Sequence, residues 1–168
     1  MTTLERNILS ESQVKQIIRR IAFEIYENNF DEKQIIIVGI YDKGYYIAQM
    51  IVKELEAIVE GVKVGLVRLN VDKNAPAASE ISLDIPVKQL KNKAIVLVDD
   101  VLNTGKTMAY SLKALLEVEV KKLQVAVLVN RSHSLFPLAA NFKGYELSTT
   151  LDEHVEVRLG DNAGVFLY

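Results

Sequence analysis

Cysteine is absent from the 168 residues, and histidine occurs only twice, at His133 and His154. Without cysteine there is no disulfide, no thiolate nucleophile and no Cys-based zinc site. The two histidines are far apart in sequence and give no ligand spacing for a protein-held transition metal. Charge of one sign is also lacking: 20 Lys and Arg face 22 Asp and Glu, a net charge of −2. That balance provides no global attraction for nucleic acid or an anionic membrane. No apolar run approaches the roughly 18 residues of a membrane span. The opening MTTLERNILSE lacks the basic, then apolar, then small-residue order of a signal peptide. These absences together lead us to expect a soluble, cytoplasmic protein with no membrane partner.

What is present is ordinary for one globular domain. Hydrophobic residues make up 49 % of the chain and charged residues 25 %, and a chain of this size buries about two thirds of its unfolded surface. A single domain spanning residues 1–168 is expected. Val14, Ile17, Ile18, Ile21, Ala22 and Ile25 follow the spacing of one helical face. Ser10, with Gln13 three residues on, forms a capping box for that helix. QIIIVGI, Gln34 to Ile40, reads as a strand buried on both faces, and Ile47, Ala48, Ile51, Val52 and Leu55 mark a second helix. Further strands are expected at Val62 to Leu69, Lys93 to Val98 and Leu123 to Val129, with a helix from about Gly105 to Leu116. Two of only three prolines fall in Asn70 to Pro86, a long polar loop of the kind that is usually functional or mobile. Alternation of apolar strands with helices predicts an α/β fold, a mostly parallel sheet with helices on both faces. The irregular segment from Ser132 onward, with YELST, VEVRL and GVFLY, is expected to add edge strands or a small flap, or hood.

The chemistry concentrates in AIVLVDDVLNTGKTM, residues 94 to 108. In an open α/β sheet, ligands bind at the carboxyl ends of strands near the point where strand order reverses. Asp99 and Asp100 occupy such an end. Asn103, Thr104, Gly105, Lys106 and Thr107 then lead into a helix whose first amides lack intrahelical partners and favour an anion. Carboxylates would repel a phosphate placed against them but accept hydrogen bonds from a sugar diol and attract a Mg²⁺ held on it. The stretch therefore suits a ribose 5-phosphate, although residue types alone leave a capped helix after a solvated strand end equally open. A Walker A loop is excluded, because the position five residues before Gly105 holds Asp100. No Gly-x-Gly-x-x-Gly opens any helix.

IVLVDDVLNTGKT, residues 95 to 107, resembles the thirteen-residue phosphoribosyl-pyrophosphate motif of type I phosphoribosyltransferases. The likeness implies a Mg²⁺ complex of phosphoribosyl pyrophosphate, with Asp99 and Asp100 at the ribose hydroxyls as the catalytic acids and Thr104 to Thr107 around the 5-phosphate. VGIYDKG, Val38 to Gly44, is similar to the family's pyrophosphate turn, which implies substrate contacts at Asp42, Lys43 and Gly44. Over nearly the whole chain the likeness is to bacterial pyrimidine-operon attenuation regulators that are also uracil phosphoribosyltransferases. It implies transfer of phosphoribose to a free nucleobase, uracil favoured, with a base site after the Leu123 to Val129 strand at Asn130 and Arg131. Tyr41 and Phe142 are aromatic candidates for stacking on the base. The branch also implies a homodimer or higher homo-oligomer and, as an alternative function, a non-catalytic or RNA-binding regulator of pyrimidine genes that senses nucleotides. Lys15, Arg19, Arg20, Lys121 and Lys122 are too dispersed in sequence to form an evident basic face. The hypoxanthine and guanine enzymes are a further alternative. They usually carry an aspartate where this chain has Asn103, and an amide cannot serve as a proton acceptor at neutral pH.

Overall fold

The computed structural model describes residues 4–131, 133–150 and 152–168; the readings that touch residues 1–3 and Ser132 lie outside that range. Ser10 closes a first strand, β1 (Arg6–Ser10), and opens helix α1 (Glu11–Asn29). Its hydroxyl accepts from the Gln13 amide at 3.2 Å while the Gln13 side chain accepts from the Ser10 amide at 2.8 Å, so the expected capping box is formed. The β-branched run follows as β2 (Gln34–Ile40), then α2 (Lys43–Ile58) and β3 (Lys63–Asn70). A short β4 (Ser82–Leu83) and a 3-10 turn (Val87–Leu90) precede β5 (Ala94–Leu102). Helix α3 (Lys106–Leu115), β6 (Lys122–Asn130), β7 (Phe142–Glu146), β8 (Val155–Arg158) and β9 (Gly164–Leu167) complete the chain.

Six strands form one sheet in the order β4-β3-β2-β5-β6-β7, parallel except for β4. Alternate side chains of each central strand enter opposite cores. Ile35, Ile37, Val96, Val98, Ala126 and Leu128 pack with α1 and α2, whereas Ile36, Val38, Ile95, Leu97, Val125 and Val127 pack with Met108 and Leu115 of α3. Helices thus cover both faces, which is why the strands are apolar throughout rather than alternating. Each of these buried side chains other than Ala126 contributes roughly 1.5–3 kcal/mol relative to exposure.

The hood is a separate sheet of three antiparallel strands, β1-β9-β8. It is not built from the C-terminal segment alone, because β1 pairs with β9 from Arg6↔Leu167 to Ser10↔Gly164. The segment after β6 is not part of it either. Residues 133–138 instead fold back over the start of α3, where the Leu135 and Phe136 amides donate to the Thr104 carbonyl at 2.8 and 3.2 Å. FKGYE joins the main sheet as the edge strand β7, since Ala126↔Phe142 to Asn130↔Glu146 continue the parallel ladder.

Among the described residues, no helix is long and apolar enough to cross a membrane.

Candidate functional site

Strand order reverses between β2 and β5: the chain builds outward from β2 to β3 and β4 on one side, and from β5 to β6 and β7 on the other. The β2–β5 ladder ends at Gly39↔Val98, while the β5–β6 ladder continues to Leu102↔Asn130. Asp99 and Asp100 therefore lie inside β5 rather than beyond a strand ending at Val98, but on a stretch that only β6 supports. A crevice opens on the β2 side at the first residue after the shared ladder, the place where open α/β sheets bind ligands.

Gly44, in the first turn of α2, closes the floor of this crevice. A β-carbon on Gly44 would lie 2.8 Å from both Asp99 Oδ1 and the Val98 carbonyl, so only glycine lets the helix start seat on the end of β5. The sequence reading connected this glycine with close approach to pyrophosphate. The structure adds that the approach is to Asp99 itself. Asp42 is exposed just before the helix, and Lys43 is half-buried as its first residue. Both face a cavity of about 340 Å³ whose opposite wall is Glu156, Arg158 and Asp161 of the hood.

A second cavity, of about 180 Å³, runs from Asp99 to Asn103, Thr104, Gly105, Lys106 and Thr107. Gly105 has a left-handed φ of 86°, and this conformation turns the chain from β5 into α3. The Lys106 amide donates to Thr104 Oγ1 at 3.2 Å, and the first intrahelical bond runs from Ala109 to the Gly105 carbonyl. The amides of Thr107 and Met108 therefore belong to the unpaired first turn, where the helix dipole favours an anion.

Asp99 is buried and Asp100 half-buried. Burial, reinforced by the charge of Asp100 and only partly offset by Lys73, pushes the Asp99 carboxyl up to about 8. Lys73 is a residue of the candidate site that motif reading missed. Its ammonium donates to Asp99 Oδ1 at 2.8 Å and to Asp100 Oδ1 at 3.4 Å, reaching in from the loop after β3. Burial works against the charge of Lys73, yet the two carboxylates outweigh it and hold its pKa above the ordinary lysine value. Its sequence signal was a lysine in a long loop, which many surface loops contain.

The residues expected at the base lie further along the same edge. Asn130 ends β6, and its amide donates to Glu146 Oε1 at 3.5 Å. Arg131 is buried, and its guanidinium holds the connection leading to the hood: it donates to Thr149 Oγ1 at 2.7 and 3.1 Å and to the Glu153 carbonyl at 2.6 Å. His133 meets the Thr149 carbonyl at 3.0 Å. Phe142 does not face a ligand; it is 3 % exposed and packs in the core shared with α1. Tyr41 is exposed, with the Arg68 guanidinium 5.6 Å from its ring centroid.

The family model described as the phosphoribosyl transferase domain matches residues 6–160. The chain is 38 % identical over 162 residues to the bifunctional protein PyrR of Staphylococcus epidermidis, covering 92 % of each. It is 34 % identical over 169 residues to the bifunctional protein PyrR of Chloroflexus aurantiacus, covering 96 % of this chain and 92 % of that one. Among solved structures, a hypoxanthine phosphoribosyltransferase from Staphylococcus aureus superposes with a TM-score of 0.72 over 89 % of this chain and 80 % of its own, at 17 % identity. That last likeness is one of fold.

Proposed function

Because the chain belongs to the phosphoribosyl transferase domain family, we propose that it transfers phosphoribose from phosphoribosyl pyrophosphate to uracil, giving the nucleoside 5′-monophosphate and pyrophosphate. One observation carries the reading: Asp99 and a glycine-led helix start line one cavity at the point where strand order reverses, and the Lys43 turn, whose own cavity lies toward the hood, packs against Asp99 through Gly44. The 5-phosphate sits on the amides and hydroxyls of Thr104 to Thr107, the ribose hydroxyls on Asp99 and Asp100, and pyrophosphate on the Lys43 turn. As the bond to pyrophosphate lengthens, positive charge grows at the anomeric carbon and negative charge on the leaving group. Carboxylates beside the sugar and a cation beside the pyrophosphate favour both changes. Asn130 and the neighbouring backbone read the base.

Among the described residues, no three His, Asp or Glu side chains are grouped to hold a metal. Two adjacent carboxylates nevertheless suit Mg²⁺, which takes one or two carboxylates and completes its shell with substrate oxygens and water. Asp99 and Asp100 are the residues that would hold it, through the ribose hydroxyls. When bound, it neutralises charge on the departing pyrophosphate.

Uracil is favoured by the likeness to the pyrimidine regulators and by Asn103, which exposes an amide at the rim of the cavity where a purine enzyme needs a proton acceptor. An RNA-binding role finds less support. Lys15, Arg20 and Lys121 pair with Glu11, Glu24 and Glu32, and Lys122 donates to the Asn28 carbonyl, so part of their charge is already met within the chain.

The test is mass spectrometry of nucleotides after incubation with phosphoribosyl pyrophosphate, Mg²⁺ and a panel of free bases. Uridine monophosphate is expected, and it should vanish when Asp99→Asn and Asp100→Asn are combined in a protein that still folds by circular dichroism. A folded wild-type protein that converts no base overturns the proposal, and conversion of a purine alone replaces the substrate.

A further inference from the structure

The turn that opens α3 is held from behind by the chain that leaves β6. Thr104 offers its carbonyl to two amides at once, those of Leu135 at 2.8 Å and Phe136 at 3.2 Å. Thr104 to Thr107 line the cavity that runs from Asp99, and neither donor does. Leu135 is 78 % exposed, so its backbone rather than its side chain ties it to the fold. The residues that follow keep the pair in place. The Leu138 amide donates to the Phe136 carbonyl at 2.9 Å around Pro137, whose fixed φ suits so tight a turn, and the Phe136 ring meets Tyr110 edge-on with centroids 6.1 Å apart. A β-carbon on Gly105 would lie 3.5 Å from Phe136 Cβ and from Leu138 Cγ, so the segment packs directly on the glycine.

In a trans peptide the carbonyl and the N–H point in opposite directions. Fastening the Thr104 carbonyl to Leu135 and Phe136 therefore turns the Gly105 N–H away from that segment, and among the described residues this N–H has no hydrogen-bond partner. The alternative arrangement is a flipped peptide. Glycine makes the flip easy, since without a β-carbon it accepts either sign of φ, and a flip would aim a carbonyl oxygen at the place meant for an anion. We propose that the Leu135 and Phe136 amides are positioning groups for phosphate: they hold the Thr104–Gly105 peptide so that the Gly105 N–H donates to the 5-phosphate of a sugar phosphate. The inference rests on reading Thr104 to Thr107 as the 5-phosphate site and extends that site to a segment that touches no ligand. The same segment begins at the proposed base site. The Arg131 amide donates to the Leu102 carbonyl at 3.0 Å, so the chain is fastened to the end of β5 shortly before Leu135 and Phe136 fasten it to Thr104.

The experiment is an amide NMR titration of the full chain with ribose 5-phosphate, without Mg²⁺ so that the phosphate contact is read alone. On binding, the Gly105 amide proton of the wild type should move downfield, as an amide does when it donates to a phosphate oxygen. Leucic acid introduced in place of Leu135 by nonsense suppression exchanges the peptide N–H for an ester oxygen and keeps the side chain. Affinity should then fall about fivefold, the loss of one hydrogen bond, and the Gly105 shift at saturation should shrink. If the Leu135 ester does not fold, the same exchange at Phe136, whose bond is the longer, should give a smaller loss in the same direction. Weaker binding with an undiminished Gly105 shift marks a general structural loss and overturns the proposal, as does equal affinity in ester and wild type. Wild-type binding with no Gly105 shift overturns it too, while leaving the sugar-phosphate site standing. A wild type that does not bind ribose 5-phosphate refutes that site and the positioning role with it.

Discussion

Gly44 and Asp99 meet with no room between them: a β-carbon on the glycine would lie 2.8 Å from the carboxylate oxygen and 2.9 Å from the Asp99 α-carbon. The neighbours are strand backbone and a buried acid, so the strand end has little freedom to yield. Gly44→Ala should cost about 1–3 kcal/mol of stability by overpacking. It should also reduce turnover disproportionately, because the strain falls on the acid pair. Urea unfolding and product formation measured on the same preparation test both parts.

Gly105 presents the opposite case. A β-carbon there would meet only Leu138 and Phe136 side chains, at 3.5 Å, which is ordinary contact. The cost of Gly105→Ala comes from the backbone, whose φ of 86° places a side-chain-bearing residue in the left-handed region at about 1–2 kcal/mol. Either the helix start re-forms with weaker phosphate affinity or stability falls by that amount. Calorimetry with ribose 5-phosphate, beside urea unfolding, separates the two.

The pH dependence of stability has a definite sign. Burial and the charge of Asp100 push the Asp99 carboxyl up to about 8 in the folded protein, against 3.8 for an aspartate in water. Between those values the folded state binds more protons than the unfolded one, so this group's contribution is fully present below about pH 4 and is lost as pH rises through 8. In Asp99→Asn that decline should be absent. Urea midpoints at pH 5, 7 and 9 should fall less steeply for the variant, and the variant should be the more stable protein at pH 9.

Arg131 offers a prediction about position rather than binding. Removing its guanidinium leaves the carbonyl of Glu153 and the hydroxyl of Thr149 without that donor in a half-buried setting. Arg131→Ala should destabilise by about 2–4 kcal/mol, and Arg131→Lys should recover only part, because an ammonium cannot reproduce the planar fork. Faster hydrogen exchange in β8, the hood strand that follows residues 149–153, would show where the loss is felt.

The parts of the molecule legible in the sequence were those written in one continuous stretch. Strands buried on both faces leave apolar β-branched runs, so β2, β5 and β6 could be read directly, and the acids, glycine and threonines of the helix start lie within nine residues of one another. Ser10 and Gln13 announced the cap of α1 for the same reason. What stayed hidden depends on distant residues. β1 is five residues with half-exposed or exposed side chains except for Leu9, and only pairing with β9 makes it a strand. Lys73 meets acids 26 positions away, and no local pattern distinguishes it from other loop lysines. Arg131 looked like a base contact because its position after β6 was known but its partners, Thr149 and Glu153, were not. Phe142 looked available because a single edge strand does not reveal which side α1 covers.

The unequal ladders of β5 have a mechanical meaning. Past Val98 the sheet behaves as two leaves joined along a seam: the acids and the helix start ride on the β6 leaf, and the Lys43 turn rides on the β2 and β3 leaf. The span that the proposed sugar pyrophosphate would have to bridge therefore depends on how far the leaves splay. Side chains that wedge the seam, such as those where α2 crosses from β2 to β5, tune that span without touching the ligand. Their substitution would register as a change in reach across the crevice even where the melting temperature stays the same.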